Sequence, residues 1–271
     1  MRKIIFMISV IIAVYKRLDI LHLILQALSR QSYANFEAII AEDDNAVETV
    51  EFIQCAREKY SYSIKHVSHE DLGARKTAIL NKALRAAEGE QLVFLDGDCI
   101  PQRHLLSEYS KAIQGNVMCY GRRVYLSKSI SEKLLTVRSI DGLNIWKAIA
   151  HRSKSIIHGF YMPWKKNIHK QNRSIKGCNW GVERAALISI NGYDEDYQCL
   201  CVGEDDDIDW RLKKKGYKML SMKNKAIVFH IYHPINANYN RDESLNMMHE
   251  IMSRKIREGN VYCLNGLEKL K

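Results

Sequence analysis

The spacing of apolar and polar positions in the first half of the chain predicts strands and helices in alternation. Short apolar runs rich in β-branched residues are typical of buried strands, and apolar residues three and four positions apart are typical of a helix face. The predicted strands are residues 4–14, 36–41, 63–67, 91–95 and 117–120. The predicted helices are residues 18–28, residues 75–87 and a third that follows Pro101. This order predicts an α/β fold with a mostly parallel sheet flanked by helices, and ligands beyond the carboxyl ends of its strands.

The second half of the chain is less regular. Residues 122–176 interrupt the alternation of strand and helix. Order returns with predicted helices at 183–189, 204–215 and 241–257 and a strand at 226–229. The 271 residues are 46% apolar, which is enough for one large core. We therefore expect a single domain over residues 1–271, and not two independent folds.

The first residues imitate a secretory signal, because Arg2 and Lys3 precede an apolar run that ends at Val14. That run is about half of the ~20 residues that a membrane-spanning helix needs, and no small-residue cleavage site precedes Tyr15. We interpret it as the first strand and expect no transmembrane segment. The seven cysteines include no Cys-x-x-Cys pair, which is typical of reduced thiols in a cytosolic protein.

The net charge of +10 is unevenly distributed. Residues 142–182 contain eight Lys or Arg and no Asp or Glu, and they also carry Trp146, Phe160, Tyr161 and Trp164. A basic segment of this kind predicts an anionic partner. Its composition fits an interfacial segment that approaches an acidic membrane surface or the phosphates of an acceptor. The alternative is a mobile lid with a solvated basic face.

Two carboxylates separated by one glycine, Asp96-Gly97-Asp98, end the apolar strand predicted at 91–95. The glycine lets the backbone turn so that both carboxylates can approach one site. Oxygen ligands suit Mg²⁺ and Mn²⁺, which carboxylates often share with substrate phosphates. The alternative is that both residues cap the helix after Pro101. Their place at the end of a hydrophobic strand favours metal binding.

The first hundred residues resemble a known family. The similarity lies in residues 9–17 (SVIIAVYKR), 37–45 (EAIIAEDDN), 71–75 (DLGAR) and 81–83 (NKA), followed by the Asp-Gly-Asp motif. These blocks are similar to family-2 glycosyltransferases with the GT-A fold, a Rossmann-like fold for nucleotide sugars. The resemblance implies a nucleotide-sugar-binding half over residues 1–121 and an acceptor-binding half over residues 122–271.

A second resemblance covers residues 176–234. Its blocks are residues 177–180 (GCNW), 191–195 (NGYDE), 203–207 (GEDDD) and 211–212 (RL), followed by Gly216. They are similar to the carboxyl-terminal half of galactosyltransferase and chondroitin-polymerase-type enzymes. Two blocks in the expected order are more specific than either alone, and only residues from about 122 to 175 remain without a match.

The family resemblance implies roles on the donor side. The first loop packs against the nucleoside, the acidic turn after the second strand contacts the nucleobase, and an arginine lies near the phosphates. The implied donor-binding residues are Ala13, Val14, Tyr15, Glu42, Asp43, Arg75, Asn81, Asp96 and Gly97. For the two acidic turn residues, capping of the next helix is the alternative. Ala78 and Leu80 stand where related enzymes carry further basic residues, so Lys76 and Lys82 are candidate substitutes.

The resemblance also implies the metal ligands. Asp98 is expected to make the direct metal contact, with Asp96 beside it. A histidine after the strand at 226–229 is the implied third ligand, either His230 or His233, with His230 favoured. Imidazole would suit Mn²⁺ well, although a structural histidine is the alternative. The expected cofactor is Mn²⁺ or Mg²⁺.

The Gly-Glu-Asp block is expected to supply the catalytic groups. An inverting transferase needs a carboxylate that takes the proton of the attacking hydroxyl, and the resemblance assigns this to Asp205, with Glu204 orienting the acceptor. The acidic residues that follow are expected mainly to complement the helix dipole. Asn179, Trp180 and Gly203 are the candidate acceptor-binding residues. Trp180 could stack on a sugar or belong to the core.

The residues and the resemblance together predict a metal-dependent, inverting glycosyltransferase of hexosyltransferase type. The expected donor is a nucleotide sugar, favoured as a UDP-sugar, and the expected acceptor is a glycan or lipid-linked oligosaccharide in surface polysaccharide synthesis. The expected location is the cytoplasm, with peripheral association at the inner face of the plasma membrane. Inversion follows from the resemblance alone.

Two other functions are weighed against this one. A sugar nucleotidyltransferase would typically carry a glycine-rich loop after the first strand, where this chain has AVYKR at residues 13–17. A basic nucleic-acid-binding protein would fit the charge, but it would leave the Asp-Gly-Asp and Gly-Glu-Asp blocks unexplained. No nucleic-acid partner is therefore expected.

Overall fold

The computed structural model describes residues 6–170, 172–198, 203–234 and 241–270. Its α-helices are α1 Leu18–Leu28, α2 Val47–Lys59, α3 Lys76–Ala86, α4 Leu105–Ala112, α5 Lys128–Val137, α6 Ile145–Ala150, α7 Arg184–Ile188, α8 Glu204–Lys214 and α9 Arg241–Glu258. Its strands are β1 Ile8–Val14, β2 Phe36–Glu42, β3 Ser63–Ser68, β4 Gln91–Asp96, β5 Cys99–Pro101, β6 Val117–Tyr120, β7 Arg122–Tyr125, β8 Ile168–His169, β9 Asn179–Glu183, β10 Lys218–Ser221 and β11 Ile227–His230.

Eight strands form the main sheet, in the order β3-β2-β1-β4-β9-β6-β10-β8. The first four are mutually parallel. Strand β9 then runs antiparallel between β4 and β6, whereas β10 is again parallel to β6. A smaller sheet has the order β5-β11-β7. The predicted α/β fold with a mostly parallel sheet is confirmed, and the antiparallel β9 at its centre was not predicted.

The strongly periodic segments form the predicted elements. Helix α1 and strand β6 have the predicted bounds, and β2, β3, β4 and α8 differ from prediction by one residue at one end. Strand β1 starts at Ile8, and the first two residues of the predicted strand lie outside the described residues. Among the residues that the structure describes, no helix combines the length and the apolar character needed to cross a membrane.

The core lies on both faces of the main sheet, and β1 shows why. Val10 and Ile12 pack with the side chains of α1 and α4 on one face, while Ile11 packs with those of α3 and α8 on the other. Alternate residues of a strand point to opposite faces, so a strand covered on both sides is apolar throughout. Ala13 is paired with Asp96, and the ends of β1 and β4 therefore meet at one edge.

A buried ion pair holds α8 against the loop after α7. Arg211 is fully buried and donates from Nε to Asp207 Oδ2 at 2.8 Å. Its Nη1 donates to the carbonyl oxygens of Ile190 and Gly192 at 2.7 and 2.9 Å. The guanidinium thus satisfies one carboxylate and two backbone carbonyls that water does not reach, and it fixes the direction in which α8 begins.

Replacing Arg211 with leucine should destabilise the fold by about 3–5 kcal/mol, because a buried carboxylate and two carbonyls lose their donor. Urea unfolding followed by circular dichroism measures the change. The double variant Asp207→Asn/Arg211→Leu should recover part of the loss, since it removes the stranded charge. Arg173→Leu, at an exposed position, is the matched control. Equal stability of Arg211→Leu and wild type would contradict the assignment.

Candidate functional site

Three potential metal ligands meet where β4 ends. Asp98 Oδ2 lies 3.1 Å from His230 Nε2 and 3.0 Å from His233 Nε2, and one ligand atom from each residue lies within 4.8 Å of the others. One carboxylate and two imidazoles are a donor set that suits Mn²⁺ and related divalent cations. Both histidines that the sequence offered as alternatives are therefore at the site together.

Backbone pairing between β5 and β11 brings these ligands together. Cys99 is opposite His230 in the antiparallel pair, and the carbonyl of Asp98 accepts a hydrogen bond from Ile231 N at 2.9 Å. Burial works against a charge on Asp98, but the hydrogen bonds from His230 and His233 hold the pKa of this carboxyl well below its usual range. Asp98 is thus a carboxylate at any physiological pH and is available to a cation.

Asp96 points to a different partner. Its Oδ1 lies 3.1 Å from Lys76 Nζ, which also lies 3.3 Å from Glu204 Oε1. The structure therefore separates the two carboxylates that the sequence had grouped on one metal: Asp98 faces the histidines and Asp96 faces a lysine. Burial opposes the charge on Lys76, but Asp96 and Glu204 keep the pKa of its ammonium well above its usual value.

The glycine between the two carboxylates is required by close packing. A Cβ at Gly97 would lie 2.5 Å from the carbonyl oxygen of Ala13, a separation at which the backbone of β1 would have to move. Ala13 itself lines a small cleft together with Lys76, Asp96 and Asp205. The donor-side residues Ala13, Asp96 and Gly97 therefore lie at one place in the fold.

Asp205 stands at the start of α8 and faces this cleft. Its Oδ2 accepts a hydrogen bond from Gly177 N at 2.6 Å, and a Cβ at Gly177 would approach Asp205 Oδ1 to 2.9 Å. Burial, reinforced by the charge of Glu204, raises the pKa of Asp205 to about 7. A carboxylate that takes up protons near neutral pH inside a cleft has the property a general base needs.

The acidic turn after β2 is held by histidines. Glu42 is buried and lies 2.9 Å from His66 Nε2. Asp43 Oδ1 lies 2.6 Å from His69 Nε2, and its Oδ2 accepts from Arg75 N at 3.1 Å. Asp43 is the more exposed of the two, so it is the acidic side chain of this turn that a nucleobase could reach.

The remaining donor-side candidates border the same edge. Val14 is buried, and its carbonyl accepts from Asp43 N at 2.9 Å. Tyr15 is half-exposed and donates to Asp71 Oδ2 at 3.1 Å. The side chain of Arg75 contacts the carbonyl of Glu70, and its buried Nε has no hydrogen-bond partner among the described residues. That unpaired donor is compatible with a phosphate contact.

Two candidates, Asn81 and Asn179, are placed away from a substrate by burial. Asn81 is fully buried, with its side chain bonded to the backbone of Tyr193 at both ends. Asn179 is buried and bridges Tyr109 to backbone carbonyls of Arg122 and Ala226. Their amides are therefore occupied within the protein, and the structure gives both residues a structural place.

Trp180 and Gly203 correct the acceptor-side expectations in the same way. Trp180 is 0% exposed and stacks on Phe94 at 4.6 Å between ring centroids, so it belongs to the core and not to a sugar platform. Gly203 has φ +97° at the start of α8, and a Cβ there would meet Met248 and Tyr197 at less than 3 Å. Gly203 therefore allows the chain to turn into α8, and this turn sets the direction of Asp205.

Two residues of the site were not assigned to it from sequence. Gly177 supplies the backbone donor to Asp205, and Lys76 joins Asp96 to Glu204. From sequence, Lys76 is only a candidate substitute for the basic residues that contact phosphate in related enzymes. The signal available was its position at the start of a helix that follows a loop, where the side chain can reach the strand ends. The partners, however, lie 20 and 128 positions away.

The fold and the arrangement of this edge define the class of a GT-A glycosyltransferase. The chain belongs to glycosyl transferase family 2, whose family model matches residues 9–184. A second family model, the N-terminal domain of galactosyltransferase, matches residues 160–234. Both family resemblances expected from sequence are confirmed. The expectation that residues from about 122 to 175 have no match is wrong, because the family model covers them. Comparison with curated proteins finds no match.

Solved structures of glycosyltransferases share the fold at low sequence identity. The mannosyltransferase PcManGT from Pyrobaculum calidifontis, in complex with GDP-Man and Mn²⁺, is 16% identical with a TM-score of 0.62, over 93% of this chain and 65% of that one. GalNAc-T7 with UDP, GalNAc and Mn²⁺ is 14% identical with a TM-score of 0.62, over 94% and 50%. TarS 1-349 of S. aureus in complex with UDP is 14% identical with a TM-score of 0.57, over 92% and 72%. The chain thus spans about two thirds of the mannosyltransferase and half of GalNAc-T7.

The raised pKa of Asp205 predicts how its replacement changes stability with pH. An unfolded chain loses this proton near pH 4, whereas the folded protein holds it up to about pH 7. The contribution of Asp205 to stability therefore falls as pH rises from about 4 to about 7. Asp205→Asn, which keeps an acceptor for Gly177 N, should gain stability relative to wild type across that window. Urea unfolding at several pH values measures the difference, and a constant difference would contradict the assignment.

Proposed function

We propose that this protein is a metal-dependent, inverting glycosyltransferase that moves a sugar from a nucleotide sugar to a hydroxyl of a carbohydrate acceptor. The observation that carries the proposal is the meeting at one sheet edge of a metal-ligand set, Asp98 with His230 and His233, and a separate carboxylate, Asp205, which lines a small cleft with Asp96 and whose pKa is raised by burial. The first set suits a cation on a diphosphate, and the second suits proton removal from an acceptor.

The contacts support different roles for these groups. Asp98, His230 and His233 would hold Mn²⁺ or Mg²⁺, which when bound stabilises the negative charge of the leaving diphosphate. Asp205 removes the proton of the acceptor hydroxyl, and Glu204 orients the acceptor. Lys76 lies against Asp96 and Glu204, so it neutralises part of the acidic cleft without filling the cation site.

For the donor we propose a UDP-sugar. Two of the similar structures contain UDP and a third contains GDP-Man, so the nucleotide is the part of the proposal that experiment must decide. Asp43 is the acidic residue that would contact the nucleobase, because Glu42 is buried against His66. The unpaired Nε of Arg75 supports a role near the phosphates, and Ala13 and Tyr15 border the nucleoside.

For the acceptor we propose a glycan or lipid-linked glycan of surface polysaccharide synthesis. The support is the basic segment: residues 142–182 contain eight cations and no acidic residue, and Lys176 directly precedes the Gly177 that holds Asp205. Such a segment suits an acceptor that carries phosphate.

Donor turnover tests the metal set. With a panel of UDP-, GDP- and dTDP-sugars, wild type should release one nucleoside diphosphate in Mn²⁺ and none in EDTA, measured by chromatography. Asp98→Ala should lose this release. Asp141→Ala, at a 75% exposed side chain, is the matched control and should behave as wild type. Asp205→Asn should still bind the donor but transfer to a suitable acceptor about 10²–10⁴-fold more slowly.

The outcomes of that panel separate the parts of the proposal. Metal-dependent donor binding without turnover would leave the donor site supported and point to a missing acceptor. Donor binding that is equally strong in EDTA would contradict the metal assignment. Binding of no nucleotide sugar under any condition would contradict the transferase itself.

The pH dependence of transfer tests Asp205 as the base. Because the base must be deprotonated, kcat should rise tenfold per pH unit below about pH 7 and level off above it. The ammonium of Lys76 lowers the pKa of Asp205, so Lys76→Met should shift this acid limb to higher pH, and Lys76→Arg should largely preserve it. A rate profile with the same midpoint in Lys76→Met and wild type would exclude this electrostatic link.

A further inference from the structure

The basic segment contains exposed apolar side chains as well as cations. Trp146 and Trp164 are 69% and 78% exposed, and Ile157 is 66% exposed. Single exposed apolar residues are ordinary on protein surfaces, but two tryptophans and an isoleucine within twenty residues form an unusual group. Tryptophan side chains of this exposure are typical of sites that enter the boundary between water and lipid.

Asn224 ties this segment into one surface. Its Nδ2 donates to the carbonyls of Ile157 and Phe160, both at 2.9 Å, and its own carbonyl accepts from Met162 N at 2.8 Å. The ring of Phe160 in turn packs edge-on against Trp146 at 5.9 Å. These contacts fix the backbone from Ile157 to Met162 and place Trp146 against it.

The cations of the segment form no ion pair with an acidic residue that the structure describes. Five of them accompany the exposed tryptophans in sequence, namely Lys147, Arg152, Lys154, Lys165 and Lys166. Within the part of the chain that the structure describes, none of these five takes part in an ion pair, although many other surface lysines and arginines do. Positive charge that is not matched inside the protein is complementary to an anionic surface.

This surface is connected to the candidate metal ligands. Lys154 and Tyr125 pair through two backbone hydrogen bonds, of 2.8 and 3.1 Å. Tyr125 is paired with His230 across β7 and β11, and their rings lie 5.2 Å apart. A partner bound at Lys154 would therefore lie beside the sheet edge that contains Asp98, His230 and His233.

We propose that the segment of residues 146–166 is a docking surface for an anionic lipid bilayer, with Trp146, Ile157 and Trp164 entering the interface and the five cations contacting lipid phosphates. Such a surface would hold the protein peripherally at an anionic membrane face, next to acceptors anchored there. The benefit of being near a membrane-anchored acceptor rests on the proposed transferase function. Binding of the segment to lipid does not depend on that function.

Vesicle flotation of the full chain tests the surface directly. The protein should float with phosphatidylcholine vesicles that contain about 30 mol% phosphatidylglycerol at low salt, should not float with phosphatidylcholine alone, and should be released at about 0.5 M NaCl. Lys165→Glu/Lys166→Glu should weaken binding by more than about tenfold, since each cation near such a surface contributes about fivefold. Trp146→Ala/Trp164→Ala should weaken binding even at low salt.

The matched control is Lys214→Glu/Lys215→Glu, which makes the same change in net charge at two exposed lysines outside the segment. It should retain vesicle binding, and every variant should keep the circular dichroism spectrum of wild type. Absence of wild-type binding to anionic vesicles, or equal losses in the control and in Lys165→Glu/Lys166→Glu, would overturn the proposal. Binding of an RNA oligonucleotide but not of vesicles would overturn it in favour of a nucleic-acid surface.

Because flotation requires neither metal nor turnover, its result is independent of the donor panel. Segment-specific vesicle binding by a protein that binds no nucleotide sugar under any condition would support the docking surface and contradict the transferase. The reverse result would support the transferase and overturn the docking surface.

Discussion

The contact of Lys76 with Asp96 and Glu204 is the interaction on which the candidate site depends. Three carboxylates, those of Asp96, Glu204 and Asp205, lie around the Lys76 ammonium, and two of them, Asp96 and Asp205, line one small cleft. Without a cation among them their mutual repulsion would oppose closure of the cleft. A lysine from the first turn of α3 provides that cation, and it links the end of β4 to the start of α8. The two halves of the chain therefore meet through charge as well as through the sheet.

The same contact explains why the Asp-Gly-Asp turn can serve two purposes. With Asp96 held by Lys76, Asp98 is left to face His230 and His233 across the β5–β11 pair. The turn depends on Gly97, because its backbone lies against the carbonyl of Ala13. One turn thus separates Asp98, which faces two histidines, from Asp96, which lines the cleft of Asp205. In the proposed function, metal binding and proton transfer would therefore use different side chains.

Much of the fold could be predicted because its signals are local. The helical spacing of α1 and the apolar run of β4 each decide their own structure. The Gly-Glu-Asp block could be placed at a helix start for the same reason. The sequence could not predict which side chains would be buried in the core or which residues they would contact. A tryptophan such as Trp180 can face a sugar or stack on Phe94 in the core, and its identity does not distinguish the two. Asn81 and Asn179 are polar, yet both are buried. The pairing of β4 with antiparallel β9 and the contact of Lys76 with Glu204 join residues more than eighty positions apart, which no local pattern reveals.

The most direct test of the central claim is Mn²⁺ binding followed by electron paramagnetic resonance, with and without UDP, for wild type and for His230→Ala/His233→Ala. We expect wild type to bind Mn²⁺, UDP to strengthen this binding, and the double variant to lose most of it while keeping its folded spectrum. An unchanged Mn²⁺ affinity in the double variant would show that the cation lies elsewhere and would contradict the assignment of Asp98, His230 and His233 as the metal site.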